Sequence, residues 1–316
     1  MSVQPRMLAL GDPTFLRSAV RVAACLGAVV EGVERAEQLT EHLTRQPTHV
    51  VLVEHHPAWV PLLAKALESQ SNVRIVLLAE PSLPADFGAL LGEPWFNHLL
   101  APSGPWFMEE LTATLARILG RPSTGVATFL PWGARVVQSQ ITGSADKHLV
   151  FERIEGLMTA LGIRGRLVAR LVDIADEMLM NAIYDAPVDR ESGQPLYAAR
   201  RRAQHVSLGP DEQPTFSFGS DGTRLVMGIT DPFGGLTADT VRTYLAKGLR
   251  RGEDQIDRKE GGAGLGLFLM LDALNSLQVW VDPGRSTEVV GIVNIRGSVR
   301  DVANTPKSLN IHIRRR

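Results

Sequence analysis

Two polar residues on one predicted helix could act on a bound nucleotide. Glu177 and Asn181 lie four positions apart, so on a helix they share one face and sit one turn from each other. An amide oxygen can hold Mg²⁺ together with phosphate oxygens, and a carboxylate can position or deprotonate an attacking hydroxyl or water. Taken alone, such a pair is more often a set of polar positions on a half-exposed helix.

A glycine-rich segment, KEGGAGLGLFLM (259–270), runs directly into an apolar stretch. Glycines at the start of a helix leave the backbone N–H groups open to an anion, because no side chain blocks the approach. The segment is not a Walker loop, since no Lys-Ser/Thr follows the glycines. It is not a dinucleotide fingerprint either, since no strand leads directly into it. A phosphate cradle and a flexible turn remain as the two interpretations of the segment.

Strands and helices must bring these groups together. A helix over 166–186 has apolar residues at intervals of three and four, and it carries Glu177 and Asn181. The strand RLVMGITD (224–231) ends at Asp231 and is followed by the turn Pro232 to Gly235. Further predicted elements are a strand over 134–142, a helix over 148–162, the glycine segment and helix over 261–277, and strands over 277–282 and 287–297.

The order of these groups resembles the GHKL ATP-binding family, which includes gyrase B subunits, histidine kinases, mismatch-repair ATPases and anti-sigma-factor serine kinases. The resemblance covers about residues 134–297. It implies an α/β sandwich of the GHKL (Bergerat) type over 134–316, with an insertion at 186–223 and an ATP lid at 237–260. It also implies ATP and Mg²⁺ as cofactors.

The resemblance assigns roles to residues that match the family's boxes. Asn181 would ligate Mg²⁺, and Glu177 sits where the general base lies in the hydrolysing or serine-phosphorylating members. Asp231 would accept a hydrogen bond from the adenine amino group, while Gly235 lets the base approach. Thr287 matches a threonine that helps to hold the aspartate and a water.

The phosphate end of the site is also implied by the resemblance. Gly262, Gly264 and Gly266 would cradle the triphosphate, and Lys259 is a lid cation that could contact the γ-phosphate. One departure stands out: the usual D-x-G-x-G box reads D-P-F-G-G, so Phe233 replaces the first glycine. The phenylalanine either reshapes the adenine pocket or narrows it enough to weaken ATP binding.

The N-terminal part, 1–121, alternates short apolar runs with helical patterns, which predicts a doubly wound parallel sheet. It resembles a response-regulator receiver domain without its phosphotransfer residues. The third strand ends in Glu54 instead of the acceptor aspartate, Asp12 is the one acid after the first strand, and the hydroxyl and lysine are missing. We predict a pseudo-receiver, with Glu54 either an ordinary loop acid or an imitation of a phosphorylated aspartate.

The two parts are joined by a predicted linker, 122–133, that is rich in glycine, proline and small residues. It is too short and too apolar for a disordered tether. Phe129, Leu130 and Trp132 are expected to pack on a neighbouring surface. His55 and His56 are expected to be packing or surface residues, because adjacent strand residues point to opposite faces and suit one metal ion poorly.

Composition limits the class of protein. At about 100–200 residues per domain, the 316 residues predict two domains. Lys plus Arg (33) nearly balance Asp plus Glu (34), which predicts neither a nucleic-acid partner nor a membrane surface. The single cysteine, Cys25, and the lack of a signal-peptide pattern predict a cytoplasmic setting.

The compact form of the second domain resembles the anti-sigma-factor serine kinases most. This implies a bacterial signalling regulator with a protein partner in a signalling or partner-switching pathway, and it leaves a homodimer as one option. Two functions stay open: a serine/threonine kinase or slow ATPase with Glu177 as base, and a nucleotide-gated interaction module without phosphotransfer. A degenerate scaffold that binds no nucleotide is a third.

Overall fold

A computed structural model describes residues 4–70, 72–80, 85–121, 124–200, 204–253 and 265–315. The chain forms two compact units, and neither is continuous in sequence. The first unit contains Met1–Ser82, Gly92–Ser123 and Pro306–Asn310. The second contains Leu83–Leu91, Thr124–Thr305 and Ile311–Arg316.

The first unit is built on a parallel sheet. Its strands are β1 (Arg6–Leu10), β2 (Val29–Val33), β3 (Val50–Glu54), β4 (Arg74–Leu78) and β5 (His98–Leu100). They are arranged in the order β2-β1-β3-β4-β5. This is the doubly wound order with one topological switch point, in which functional groups gather at the carboxyl ends of the strands. The central strands are buried apolar runs, as a sheet covered on both faces requires.

Helices of the first unit are α1 (Pro13–Cys25), α2 (Leu39–Arg45), α3 (Val60–Ser69) and α5 (Phe107–Ile118); α4 (Ala85–Leu91) belongs to the second unit. Residues near the C-terminus complete the first sheet. Leu309 pairs antiparallel with Leu99, and Asn310 pairs with His98.

The second unit is built on an antiparallel sheet of β6 (Val136–Gln140), β7 (Thr215–Ser220), β8 (Arg224–Asp231), β9 (Ser276–Asp282) and β10 (Ser286–Asn294). The order of these strands is β9-β10-β8-β7-β6. Its further helices are α6 (Lys147–Ala160), α7 (Arg166–Met180), α8 (Ala238–Glu253), α9 (Leu265–Ala273) and α10 (Val299–Asn304). The last strand, β11, is Ser308–Ile313, and its residues 308–310 belong to the first unit. Helix α7 packs against β8, α6 and α9, and α8 packs against α9 and α4.

Both faces of this second sheet are covered. A methyl group placed on Gly291 would lie 3.2 Å from the Cε atom of Met178 on α7. Gly228 of β8 pairs with Val290, the residue before Gly291 on β10. A methyl group placed on Gly228 would lie 3.4 Å from Cγ2 of Val126. Because successive strand residues point to opposite faces, α7 covers one face and the segment around Val126 covers the other.

Several expectations need correction. The helix predicted over 166–186 ends as an α-helix at Met180 and continues as a π-helical turn, Asn181–Asp185, closed by the Ala186 N–H donating to the Asn181 carbonyl at 2.8 Å. The range 186–223, predicted as an insertion, contains β7, whose Phe216 and Phe218 are buried.

The large apolar side chains of the predicted linker differ in their burial. Phe129 and Leu130 are buried, as expected, but Trp132 is fully exposed. The expectation that Trp132 packs on a neighbouring surface is therefore wrong. Within the described ranges, no helix has both the length and the apolar character that a membrane crossing requires.

Candidate functional site

The second unit contains a cavity of about 360 Å³. Four residues predicted for the nucleotide site line it: Asn181, Asp231, Gly235 and Thr287. They come from the π turn after α7, the end of β8, the turn that follows β8, and β10. The other lining residues are mostly apolar: Met178, Ala182, Asp185, Ala186, Val188, Ala198, Ile229, Leu236, Thr240, Tyr244, Leu267, Met270 and Val289.

Asp231 is the buried acid of this cavity. It is the last residue of β8 and stands opposite Thr287 of β10 in the antiparallel register. Its carboxylate accepts hydrogen bonds from the backbone N–H groups of Phe233, at 2.9 Å, and Gly234, at 3.4 Å, and from Thr287. Burial raises the pKa of Asp231 above its ordinary value, and these hydrogen bonds oppose the rise.

The turn after β8 needs glycine at one position and has room at the next. Gly234 has φ +66°, and a methyl group there would lie closer than 3.0 Å to the backbone of Asp282. Gly235 has no atom within 4 Å of such a group, and it lines the cavity. Phe233 is buried and does not line the described part of the cavity wall, so its side chain does not narrow the cavity there.

Glu177, Asn181 and Gly266 meet where α7 packs against α9. The Asn181 N–H donates to the carbonyls of Glu177 and Met178, which keeps the two side chains one turn apart as predicted. A methyl group on Gly266 would lie closer than 3.0 Å to Oε2 of Glu177 and 3.8 Å from Nδ2 of Asn181. Glu177 is half-buried beside Gly266 and is not one of the residues that line the cavity.

Three predicted residues, Gly262, Gly264 and Lys259, lie outside the described residues. Sequence reasoning also missed wall residues that the structure adds, among them Asp185 and Tyr244. Asp185 follows Asn181 by four positions, the same spacing that separates Glu177 from Asn181. That repeated spacing was a usable signal, whereas nothing in the sequence of α8 marks Tyr244 as facing a cavity.

In the first unit, the acids at the carboxyl ends of the strands bind backbone and hydroxyl donors. Glu54 accepts the Asp12 N–H at 2.8 Å. Glu80 accepts the N–H and the hydroxyl of Ser103, both at 2.6 Å. Glu54 therefore holds the loop after β1.

The two adjacent histidines also make local contacts. Nδ1 of His56 accepts the Ala58 N–H at 3.3 Å, and its ring lies 5.3 Å from that of Trp59. The backbone N–H of His55 donates to the carbonyl of Leu78 at 2.7 Å. Among the described residues, no group of three or more His, Cys, Asp or Glu side chains is placed to hold a metal ion.

No protein-family model and no curated protein matches this sequence. Among solved structures, the signal receiver domain of an HD domain-containing protein from Pseudomonas fluorescens Pf-5 is 18% identical with a TM-score of 0.34, over 38% of this chain and 90% of that one. The BeF3-activated DrrB receiver domain is 19% identical with a TM-score of 0.30, over 38% of this chain and all of that one.

The response regulator DrrB, an OmpR/PhoB homolog from Thermotoga maritima, is 15% identical with a TM-score of 0.33, over 66% of this chain and all of that one. Every one of these TM-scores is 0.34 or lower. The strand order β2-β1-β3-β4-β5 is that of a receiver-like α/β fold, and this describes the first unit.

Proposed function

We propose that this protein is a signalling regulator that binds Mg-ATP in the cavity of its second unit. The observation that carries the proposal is the convergence of Asn181, Asp231, Gly235 and Thr287 on one cavity. These residues come from distant parts of the sequence, and the GHKL resemblance assigned each of them a role in the nucleotide site. A volume of about 360 Å³ falls within the range of about 300–1,000 Å³ typical of small-molecule sites.

The cavity has the chemistry that a purine base needs. Apolar side chains such as Ile229, Leu267 and Val289 line it and can pack against a planar ring. Asp231 supplies an acceptor for an exocyclic amino group, held in place by Phe233 and Thr287. A buried acceptor of this kind discriminates strongly, because a ligand that lacks the matching donor leaves the acceptor unpaired.

The phosphates and the metal would lie toward Asn181. The amide oxygen of Asn181 and the carboxylate of Asp185, both in the cavity wall, are the hard oxygen ligands that Mg²⁺ prefers. Gly266, in the first turn of α9, keeps its predicted role toward the triphosphate. Gly262, Gly264 and Lys259 keep their predicted roles toward the triphosphate.

Thermal unfolding with and without Mg-ATP tests this function. A ligand at about 100 times its Kd stabilises a protein by about 2.7 kcal/mol, which a melting curve resolves. We expect a shift in the wild type that is lost in Asn181→Ala and in Asp231→Ala. Asp173→Ala, at an exposed position on α7, is the matched control and keeps the shift. No shift in well-folded wild type would leave an interaction scaffold that does not bind nucleotide.

Whether phosphate is transferred depends on Glu177. A kinase or slow ATPase would use it as general base toward a serine, a threonine or water. The nucleotide-gated interaction module is favoured by the position of Glu177, which packs beside Gly266 and outside the cavity wall. ATP turnover or protein phosphorylation that disappears in Glu177→Ala, with the Mg-ATP thermal shift retained, would establish the enzyme. Binding without turnover or phosphorylation in the wild type would exclude the enzyme and leave the gated module.

A further inference from the structure

We propose that the segment of residues 187–200 is a ligand-contacting cover of the cavity, which opens to admit Mg-ATP and is held closed by it. The proposal rests on the proposed function and adds to it a second mobile wall, separate from the predicted lid at 237–260. Two residues of the segment, Val188 and Ala198, line the cavity alongside Asp185 and Ala186 at the end of the π turn.

The first part of the segment is a small, self-contained turn. Asp189 accepts the N–H and the hydroxyl of Ser192, both at 2.7 Å, and its own N–H donates to the carbonyl of Gln194 at 2.9 Å. Val188 and Pro195 form an antiparallel bridge. The carboxylate of Asp189 has its pKa lowered by the bonds from Ser192 and is charged at neutral pH. The turn can therefore move as one body and keep its shape.

Among the described residues, hydrogen bonds from Arg190 and Tyr197 attach the segment to the rest of the second unit. Nη2 of Arg190 donates to the carbonyl of Asp211 at 3.4 Å. The Tyr197 hydroxyl donates to Oε2 of Glu212 at 2.9 Å, and that oxygen also accepts the Gly209 N–H at 2.9 Å. The guanidinium of Arg200 lies 5.1 Å from the centre of the Tyr197 ring. The side chain of Leu196, which also lies in this segment, is 38% exposed.

These contacts set a low cost for opening. Single hydrogen bonds make a modest net contribution to stability, and most residues of the segment are exposed. Opening therefore requires loss of the Tyr197–Glu212 and Arg190–Asp211 hydrogen bonds, while the sheet and α7 stay intact. A ligand that touches Val188 and Ala198 binds the closed form only, so it shifts the segment toward closure.

Two adjacent alanines give a matched test of whether the ligand contacts the segment. Ala198 and Ala199 are both exposed, but only Ala198 lines the cavity. We expect Ala198→Trp to weaken Mg-ATP binding by at least about tenfold in a thermal-shift titration, because an indole at this point occupies ligand space. Ala199→Trp is expected to bind as the wild type does. Equal, undiminished binding by both variants would overturn the inference and leave the proposed function standing.

Trypsin reports opening independently of affinity, since Arg190 and Arg200 lie within the segment. Mg-ATP is expected to slow cleavage at both sites in the wild type. Tyr197→Phe keeps the ring but loses the hydroxyl, so cleavage without ligand is expected to be several-fold faster, with protection restored by Mg-ATP. A thermal shift without any protection of these sites overturns the inference alone. No thermal shift in the wild type overturns both proposals together.

Discussion

At the scale of single residues, Asp231 shows a conflict between stability and binding. A buried carboxylate is costly in its charged form, and here burial outweighs the hydrogen bonds from Phe233, Gly234 and Thr287, so the pKa is raised. Carboxylates with a raised pKa in a cavity are typical of functional sites, because a purely structural position would favour an uncharged residue.

This conflict predicts the behaviour of Asp231→Asn. The amide keeps an oxygen acceptor for the Phe233 N–H but never ionises. We expect the variant to be as stable as the wild type or more stable at neutral pH, and to lose the Mg-ATP shift. Between the unfolded pKa, about 3.9, and the raised folded pKa, the native wild type binds more protons than its unfolded chain, so its stability falls as pH rises.

Urea unfolding in steps from about pH 4 to about pH 8 measures this effect. As pH rises, the free energy of unfolding of the wild type should fall by an amount that Asp231→Asn does not show. Above the folded pKa of Asp231, the difference in free energy of unfolding between the two proteins should be constant. A variant that is much less stable than the wild type at neutral pH would show that the charge itself stabilises the turn.

Neighbouring glycines make a second prediction at this scale. Gly234→Ala places a side chain at φ +66° and against the backbone of Asp282, so we expect a loss of about 2–4 kcal/mol in stability. Gly235→Leu meets open space, so its stability should stay within about 1 kcal/mol of the wild type while ligand binding is lost. Chemical unfolding and Mg-ATP titration of the two variants separate a structural glycine from a binding one.

At the scale of elements, the parts that sequence predicted well have strong local signals. The limits of β8 (224–231) agree with the prediction, because a buried apolar run is bounded by turn residues. The π turn at Asn181–Asp185 could not be foreseen, since its wider hydrogen bonds depend on tertiary packing. Helix α4 follows a proline-rich stretch and is only seven residues long, so its periodicity is weak.

The residues of the candidate site also fall into a predicted group and a group that the sequence did not predict. The resemblance of residue types and their order to the GHKL boxes selected Asn181, Asp231, Gly235 and Thr287, which line one cavity. The contribution of Val188 and Ala198 could not be predicted, because it depends on the conformation of a segment that has no regular structure. The π turn also places Asp185 in the wall, and this follows from the backbone geometry of one turn.

The α7–α9 interface predicts an interaction between Gly266 and Glu177. Gly266→Ala forces a methyl group against Oε2 of Glu177, so we expect a loss of about 1–3 kcal/mol. In a Glu177→Ala background the clash is absent, and alanine is favoured over glycine in a helix by up to about 1 kcal/mol, so the same substitution becomes neutral or stabilising. Urea unfolding of the four proteins gives the coupling energy. Additive losses would show that the helices separate without cost.

At the scale of the whole molecule, the compact units do not follow the simplest division of the sequence. Helix α4 lies within the receiver-like part of the sequence, yet it belongs to the second unit, where it packs against α8. It buries Phe87, Leu90 and Leu91. Because α8 supplies Thr240 and Tyr244 to the cavity wall, a core residue of α4 supports the candidate site through α8.

A pair of core truncations tests this assignment. Phe87→Ala in α4 and Leu52→Ala in β3 both remove a fully buried side chain, at a cost of about 2–5 kcal/mol each. We expect Phe87→Ala to increase amide hydrogen exchange in α8 and to weaken the Mg-ATP thermal shift, while exchange in β1 and β3 stays near the wild-type rate. Leu52→Ala should do the reverse, because its contacts lie in the first unit. Faster exchange in β1 and β3 of Phe87→Ala, with α8 unchanged, would return α4 to the receiver-like unit and remove its support of the cavity.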